Sequence, residues 1–125
     1  MHIQPTIQIE SQIQYLESES DPSASRYVFA YTITIRNRGT EAARLLSRHW
    51  VITDADGKTQ EVRGAGVIGE TPRIAPGGAF RYTSATQIAT PVGSMGGEYL
   101  MRTDGGDLFE APIPPFTLAI PRILH

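Results

Sequence analysis

The sequence predicts an all-β chain, an antiparallel β-sandwich of about seven or eight strands. Three observations carry that expectation. Apolar residues recur with a period of two along most of the chain, turn-forming residues break that period roughly every 8–12 residues, and no long stretch shows the helical period. With 125 residues and 40% apolar content there is material for one core, and we read residues 1–125 as one domain.

The first strand is "TIQIESQIQY", where Ile7, Ile9, Ile13 and Tyr15 alternate with Gln8, Glu10, Gln12 and Gln14. Its low charge suits a sheet edge. A polar stretch, 17–25, follows as a loop around Pro22. "RYVFAYTITIRN" is the strongest strand: Tyr27, Phe29, Tyr31, Ile33 and Ile35 share one face, and the other is apolar enough for a central position. "LLSRHWVIT" places Leu46, Arg48, Trp50 and Ile52 on one face and Leu45, Ser47, His49 and Val51 on the other. "DADG" marks a hairpin, and "KTQEVRG" is the returning strand. Residues 64–78 read as a loop carrying Val67, Ile68 and Ile74. "AFRYTSATQI" resumes the alternation, and "TPVGSMGG" reads as another loop. "EYLMRT", "DGGD" and "LFEAPI" form a second hairpin, and the apolar, proline-bounded "PPFTLAIP" ends the pattern.

Composition excludes several classes. The net charge of −2 gives no general attraction to nucleic acid or anionic lipid. The aromatics fall at strand alternation positions, as core residues do, so we expect no nucleic-acid partner. The absence of cysteine removes disulfides and thiolate metal sites. No signal-like or membrane-spanning apolar run is present, so we expect a cytoplasmic protein with no membrane partner. Residues 36–81 hold seven Arg and Lys58 against five acids, so positive charge collects in the middle third.

That middle third contains "GAGVIGETP", a complete G-x-G-x-x-G at Gly64, Gly66 and Gly69. A dinucleotide site needs the glycines to leave a strand and open a helix, whose N-terminal N–H groups meet the pyrophosphate. Here "ETPRIAPGG" comes next, and Pro72, Pro76 and the Gly77-Gly78 pair forbid a sustained helix. No acid lies about 20 residues downstream to take a ribose. A weaker possibility stays open: an anion nest of loop N–H groups flanked by Arg63 and Arg73. The candidate ligand- or partner-binding set is therefore Arg63, Gly64, Gly66, Gly69 and Arg73, with no cofactor implied.

Catalytic chemistry has little to stand on. Ser47 and His49 share a strand face, but no acid is beside them in sequence, and His49 reads as a structural residue bonded to backbone. His2, His49 and His125 have no metal-ligand spacing, and "DADG" lacks the later partners of a calcium loop.

The stretches "YTITIRN", "LLSRHWVITDADGKTQEVRGAGVIGETPRIAPGGAFRYTS", "TPVGSMGGEYLM" and "PPFTLAIP" resemble the bacterial ApaG family over nearly the whole chain. The resemblance implies an immunoglobulin or fibronectin type III-like sandwich. It also implies a role associated with cobalt and magnesium tolerance, in a family named for a gene neighbour of a diadenosine tetraphosphate hydrolase. Relatives fused into eukaryotic F-box proteins and a polymerase-delta-interacting protein suggest protein binding and no enzymatic activity. The function expected is thus a non-enzymatic protein-interaction module, monomeric or homodimeric through its sheet edges. Two alternatives are binding of pyrophosphate or a dinucleoside polyphosphate through the 64–69 loop, and direct divalent cation binding.

Overall fold

The computed structural model describes residues 6–121. Eight antiparallel strands form two sheets packed face to face: β1 (Ile7–Tyr15), β2 (Tyr27–Asn37), β3 (Ala43–Asp54), β4 (Thr59–Ala65), β5 (Arg73–Ile74), β6 (Ala79–Ile88), β7 (Val92–Thr103) and β8 (Leu108–Ala119). One sheet has the order β1-β2-β6; the other runs β4-β3-β7-β8, with β5 added beside β3. The all-β sandwich expected from the alternation is what forms, with β2 central and β1 at an edge. Among the described residues no helix is long and apolar enough to cross a membrane.

The core lies between the sheets. Phe29, Tyr31, Ile33 and Ile35 of β2 point inward at every second position. Trp50 of β3 is its centre, 1% exposed. Its indole meets Tyr31, Phe116 and Tyr99 edge-on at centroid distances of 5.3, 6.0 and 6.2 Å, the arrangement aromatic quadrupoles favour. Burial on β3 departs from strict alternation, because Leu45 and Trp50 are both inward although five residues apart. A bulge between Leu45 and Ser47 takes up the extra residue. Leu45 therefore joins the core face, to which the alternation alone assigns Leu46.

"TPVGSMGG" is not a loop. From Val92 on it is the first half of β7, paired with β3 and β8, and only Thr90 and Pro91 lie in the connection. Its glycines are strand glycines that admit a close neighbour: a Cβ on Gly93 would stand 2.6 Å from the Thr53 carbonyl oxygen, and one on Gly97 only 1.9 Å from that of His49. The register of β7 against β8 slips between Met95 and Gly97, a second bulge. "DADG" and "DGGD" form the expected turns, closed by Gly57 N–H to Asp54 O and Gly106 N–H to Thr103 O.

The chain between β4 and β6 leaves one sheet for the other, and buried Asn37 fixes that passage. Its side-chain amide donates to the Glu41 and Ile74 carbonyls at 2.9 and 3.0 Å, and its carbonyl oxygen accepts from Gly39 N–H at 2.9 Å. Its backbone bonds to Gly77 and Gly78 as well. The segment 66–72 is held to β3 by Gly66 N–H to the Leu46 carbonyl, Leu45 N–H to the Pro72 carbonyl and the Arg44 side chain to the Thr71 carbonyl.

Candidate functional site

The glycine motif is one edge strand leading into one tight hairpin. Val67 and Glu70 exchange both N–H···O bonds at 2.8 Å. Between them Ile68 has φ 44° and Gly69 φ 78°. Positive φ at both central residues is the signature of a type I′ turn. Each glycine has its own reason. Gly64 lies in β4 beneath Arg48, whose Nη1 would be 2.8 Å from an added Cβ. Gly66, at φ 60°, has the Glu70 carbonyl oxygen where a Cβ would be, 2.2 Å away. Gly69 faces open space and supplies only the left-handed backbone. The N–H groups of Gly66, Val67 and Glu70 are bonded within the chain, to Leu46, Glu70 and Val67 respectively. The next element is the strand β5, so no helix dipole points at the loop.

Ile68 is the unusual residue here. A β-branched side chain in the left-handed region is strained by about 1–3 kcal/mol, yet this one stands at the hairpin tip, 55% exposed.

The flanking arginines do not converge on the loop. Arg63 projects from β4 largely into solvent, 3.8 Å from Glu61. Arg73, on β5, is paired through two nitrogens with both carboxylate oxygens of Asp104 in the β7–β8 turn. That partner holds the Asp104 carboxyl below its ordinary range. The cation beside the hairpin is Arg48. Its Nη1 donates to the Ala65 and Gly66 carbonyls at 3.1 and 3.0 Å, bracing β4 and the entry to the turn. A sequence signal for it exists: Arg48 alternates with Trp50 and Ile52 on an otherwise apolar face. Beneath it, the buried hydroxyls of Tyr82 and Tyr99 bond at 2.6 Å, and burial raises both phenol pKa values.

On the outer face of the larger sheet, His49 sits between two acids from adjacent strands. Nδ1 is 2.7 Å from Glu98 Oε1 of β7, and Nε2 is 2.8 Å from Glu61 Oε1 of β4. These carboxylates replace the backbone partner the sequence suggested. Neither nitrogen is left to take a proton from Ser47, so the arrangement is an ion-pair bridge across three strands. A neutral imidazole has one N–H and cannot donate to both acids. The hydrogen bonds to Glu98 and then Glu61 accordingly raise the His49 pKa above its ordinary value of 6.5. With the folded value above the unfolded one, this stabilisation is full below the unfolded pKa and fades as pH rises through the folded pKa. The Tm difference between the native chain and His49→Gln is expected to be largest near about pH 5.5 and to shrink toward alkaline pH. A difference that does not vary with pH would contradict the bridge.

His2 and His125 lie outside the described residues. Among the described residues no group of three or more His, Asp or Glu side chains is arranged to hold a metal ion.

The ApaG domain model matches residues 17–103. The chain is 60% identical to the protein ApaG of Thiobacillus denitrificans over 119 residues, covering 95% of this chain and 94% of that protein. It is 57% identical to the protein ApaG of Azoarcus sp. over the same shares of each chain. A crystal structure of an ApaA protein from Bordetella pertussis superposes with a TM-score of 0.92 at 45% identity, over 95% of this chain and 97% of that one. The matched segment takes in β2 to β7, and with it Arg48, Trp50 and the strained hairpin; the chain belongs to the ApaG family.

Proposed function

We propose that this chain is a non-enzymatic protein-interaction module whose contact surface is the 67–70 hairpin. The observation that carries this reading is Ile68: an apolar, β-branched side chain kept exposed in a backbone conformation that Gly or Asn would adopt at lower energy. Strain combined with an exposed apolar anchor suits recognition better than folding. The hairpin is also rigid, since its two N–H···O bonds and the Arg48 brace fix it to the sandwich. Such preorganisation lowers the entropy cost of binding. In this reading Arg63 and Arg73 are peripheral, Gly64 and Gly66 are geometric supports, and Gly69 completes the turn. A link to cobalt or magnesium tolerance would be indirect, through the partner. The module acts as a monomer or pairs through a sheet edge. β1, whose only charged residue is Glu10, is the less guarded edge, while β8 is blunted by Pro112, Pro114 and Pro115.

Ile68→Gly tests the reading in two directions at once. Relief of strain is expected to stabilise the fold by about 1 kcal/mol, while loss of the anchor weakens capture of the native partner. Urea unfolding reads the first effect and affinity capture from the native cell the second. Capture equal to that of the native chain would remove the hairpin as the contact. Gly66 is a poorer probe, because any Cβ there strikes the Glu70 carbonyl and distorts the hairpin itself.

A further inference from the structure

Between the hairpin and the two sheets lies a cavity of about 320 Å³, lined by Tyr31, Arg48, Ile68, Gly69, Tyr82 and Ser84 among others. We propose that it is a carboxylate pocket, taking one Asp, Glu or C-terminal carboxylate of the protein partner onto the Arg48 guanidinium. This rests on the interaction reading above and gives the partner its chemistry.

The donors are present and unfilled. Arg48 uses only Nη1 on the Ala65 and Gly66 carbonyls. Its remaining N–H groups have no acceptor, and no carboxylate lies within ion-pair distance, among the described residues. Among the described residues no acid lines the cavity. A part-buried guanidinium with open donors and no counter-charge favours an incoming anion. Tyr31 supplies an independent observation: it is 7% exposed and lines the cavity, and its hydroxyl is not among the sealed, unbonded polar atoms, so it is open to an incoming acceptor. Ser84 on β6 adds a second hydroxyl to the lining. The Tyr82 hydroxyl is engaged by Tyr99 and contributes wall.

Charge matching selects the anion. The cavity holds one fixed positive charge, and Arg63 and Arg73 point elsewhere. A carboxylate is neutralised by one guanidinium and fits its paired N–H groups. Phosphate near neutral pH, and pyrophosphate still more, would bring unpaired negative charge into a half-enclosed site. Ile68 at the rim can then pack against the residue that carries the carboxylate.

The test is an amide-resolved NMR titration of the full chain with sodium acetate, and separately with inorganic phosphate, at constant ionic strength set by chloride. Acetate is expected to give saturable shifts centred on Ile68, Gly69 and Ser84, with phosphate weaker. Tyr31→Phe should weaken acetate binding several-fold with the fold intact, and Arg48→Gln should abolish it. Should Arg48→Gln unfold, Tyr31→Phe and Ser84→Ala carry the test alone. No saturable shift with acetate, binding unchanged in both hydroxyl variants, or tighter binding of phosphate would each overturn the pocket. The two readings fail separately. Partner capture that depends on Ile68 without acetate binding sinks the pocket alone, and acetate binding without any dependence of capture on Ile68 sinks the hairpin contact.

Discussion

Gly97→Ala is expected to destabilise the protein by about 4 kcal/mol, the sum of a clash and a backbone penalty. The added methyl would lie 1.9 Å from the His49 carbonyl oxygen and 2.9 Å from its carbonyl carbon, both backbone atoms of a central strand. Gly97 is also at φ 154°, where L side chains are uncommon. Relief would require β3 and β7 to part at the position where Trp50 pairs with Gly97. Domains of this size are stable by about 5–15 kcal/mol, so the loss is a large share of the whole. Urea unfolding by circular dichroism would measure it. A loss below about 1 kcal/mol would mean that the bulge relaxes freely. Gly69→Ala is the control, since its φ is unfavourable but nothing stands within 4 Å of its Cβ position.

Trp50→Ala is expected to cost about 4 kcal/mol, because it opens a cavity at the meeting point of Tyr31, Tyr99 and Phe116. Trp50→Phe is expected to cost much less, about 1–2 kcal/mol. The Trp50 Nε1 is buried without a hydrogen-bond partner among the described residues, a state that itself destabilises by about 1–3 kcal/mol. Phenylalanine removes that unmet donor along with the volume. A loss above about 3 kcal/mol for Trp50→Phe would show that Nε1 has a partner, since that substitution would then remove a made hydrogen bond. Near-ultraviolet circular dichroism together with denaturant unfolding separates a repacked core from an unfolded one.

Much of the architecture was legible because a half-buried strand writes its burial directly into alternate residues. β2 illustrates this: Phe29, Tyr31, Ile33 and Ile35 are inward as their spacing requires. The errors have a common origin in contacts between strands that are far apart in sequence. Gly93, Gly96 and Gly97 look like turn residues in "TPVGSMGG", yet they exist because β3 and β8 approach β7 too closely for side chains. Leu46 is displaced by a bulge that alternation cannot register. The site shows the same split. Pro72 and Pro76 already deny the glycine motif a helix to present it, and the structure continues it as β5. Glu61 and Glu98 reach His49 from two other strands, at separations of 12 and 49 residues. Arg48 was visible as a charge on an apolar face, but its cavity exists only once β6 closes over β3. Nothing in "GVIGE" marks Ile68, rather than a glycine, as the residue at the first positive φ of the turn.

The central claim is that the tip of the 67–70 hairpin touches a protein partner. Site-specific photo-crosslinking in the native cell tests it most directly, with a photoreactive residue at position 68 and, as control, at exposed Asp56 in the β3–β4 turn. A discrete adduct from position 68 that is absent from position 56 is the expected result. No adduct from position 68, or the same adducts from both positions, would contradict it.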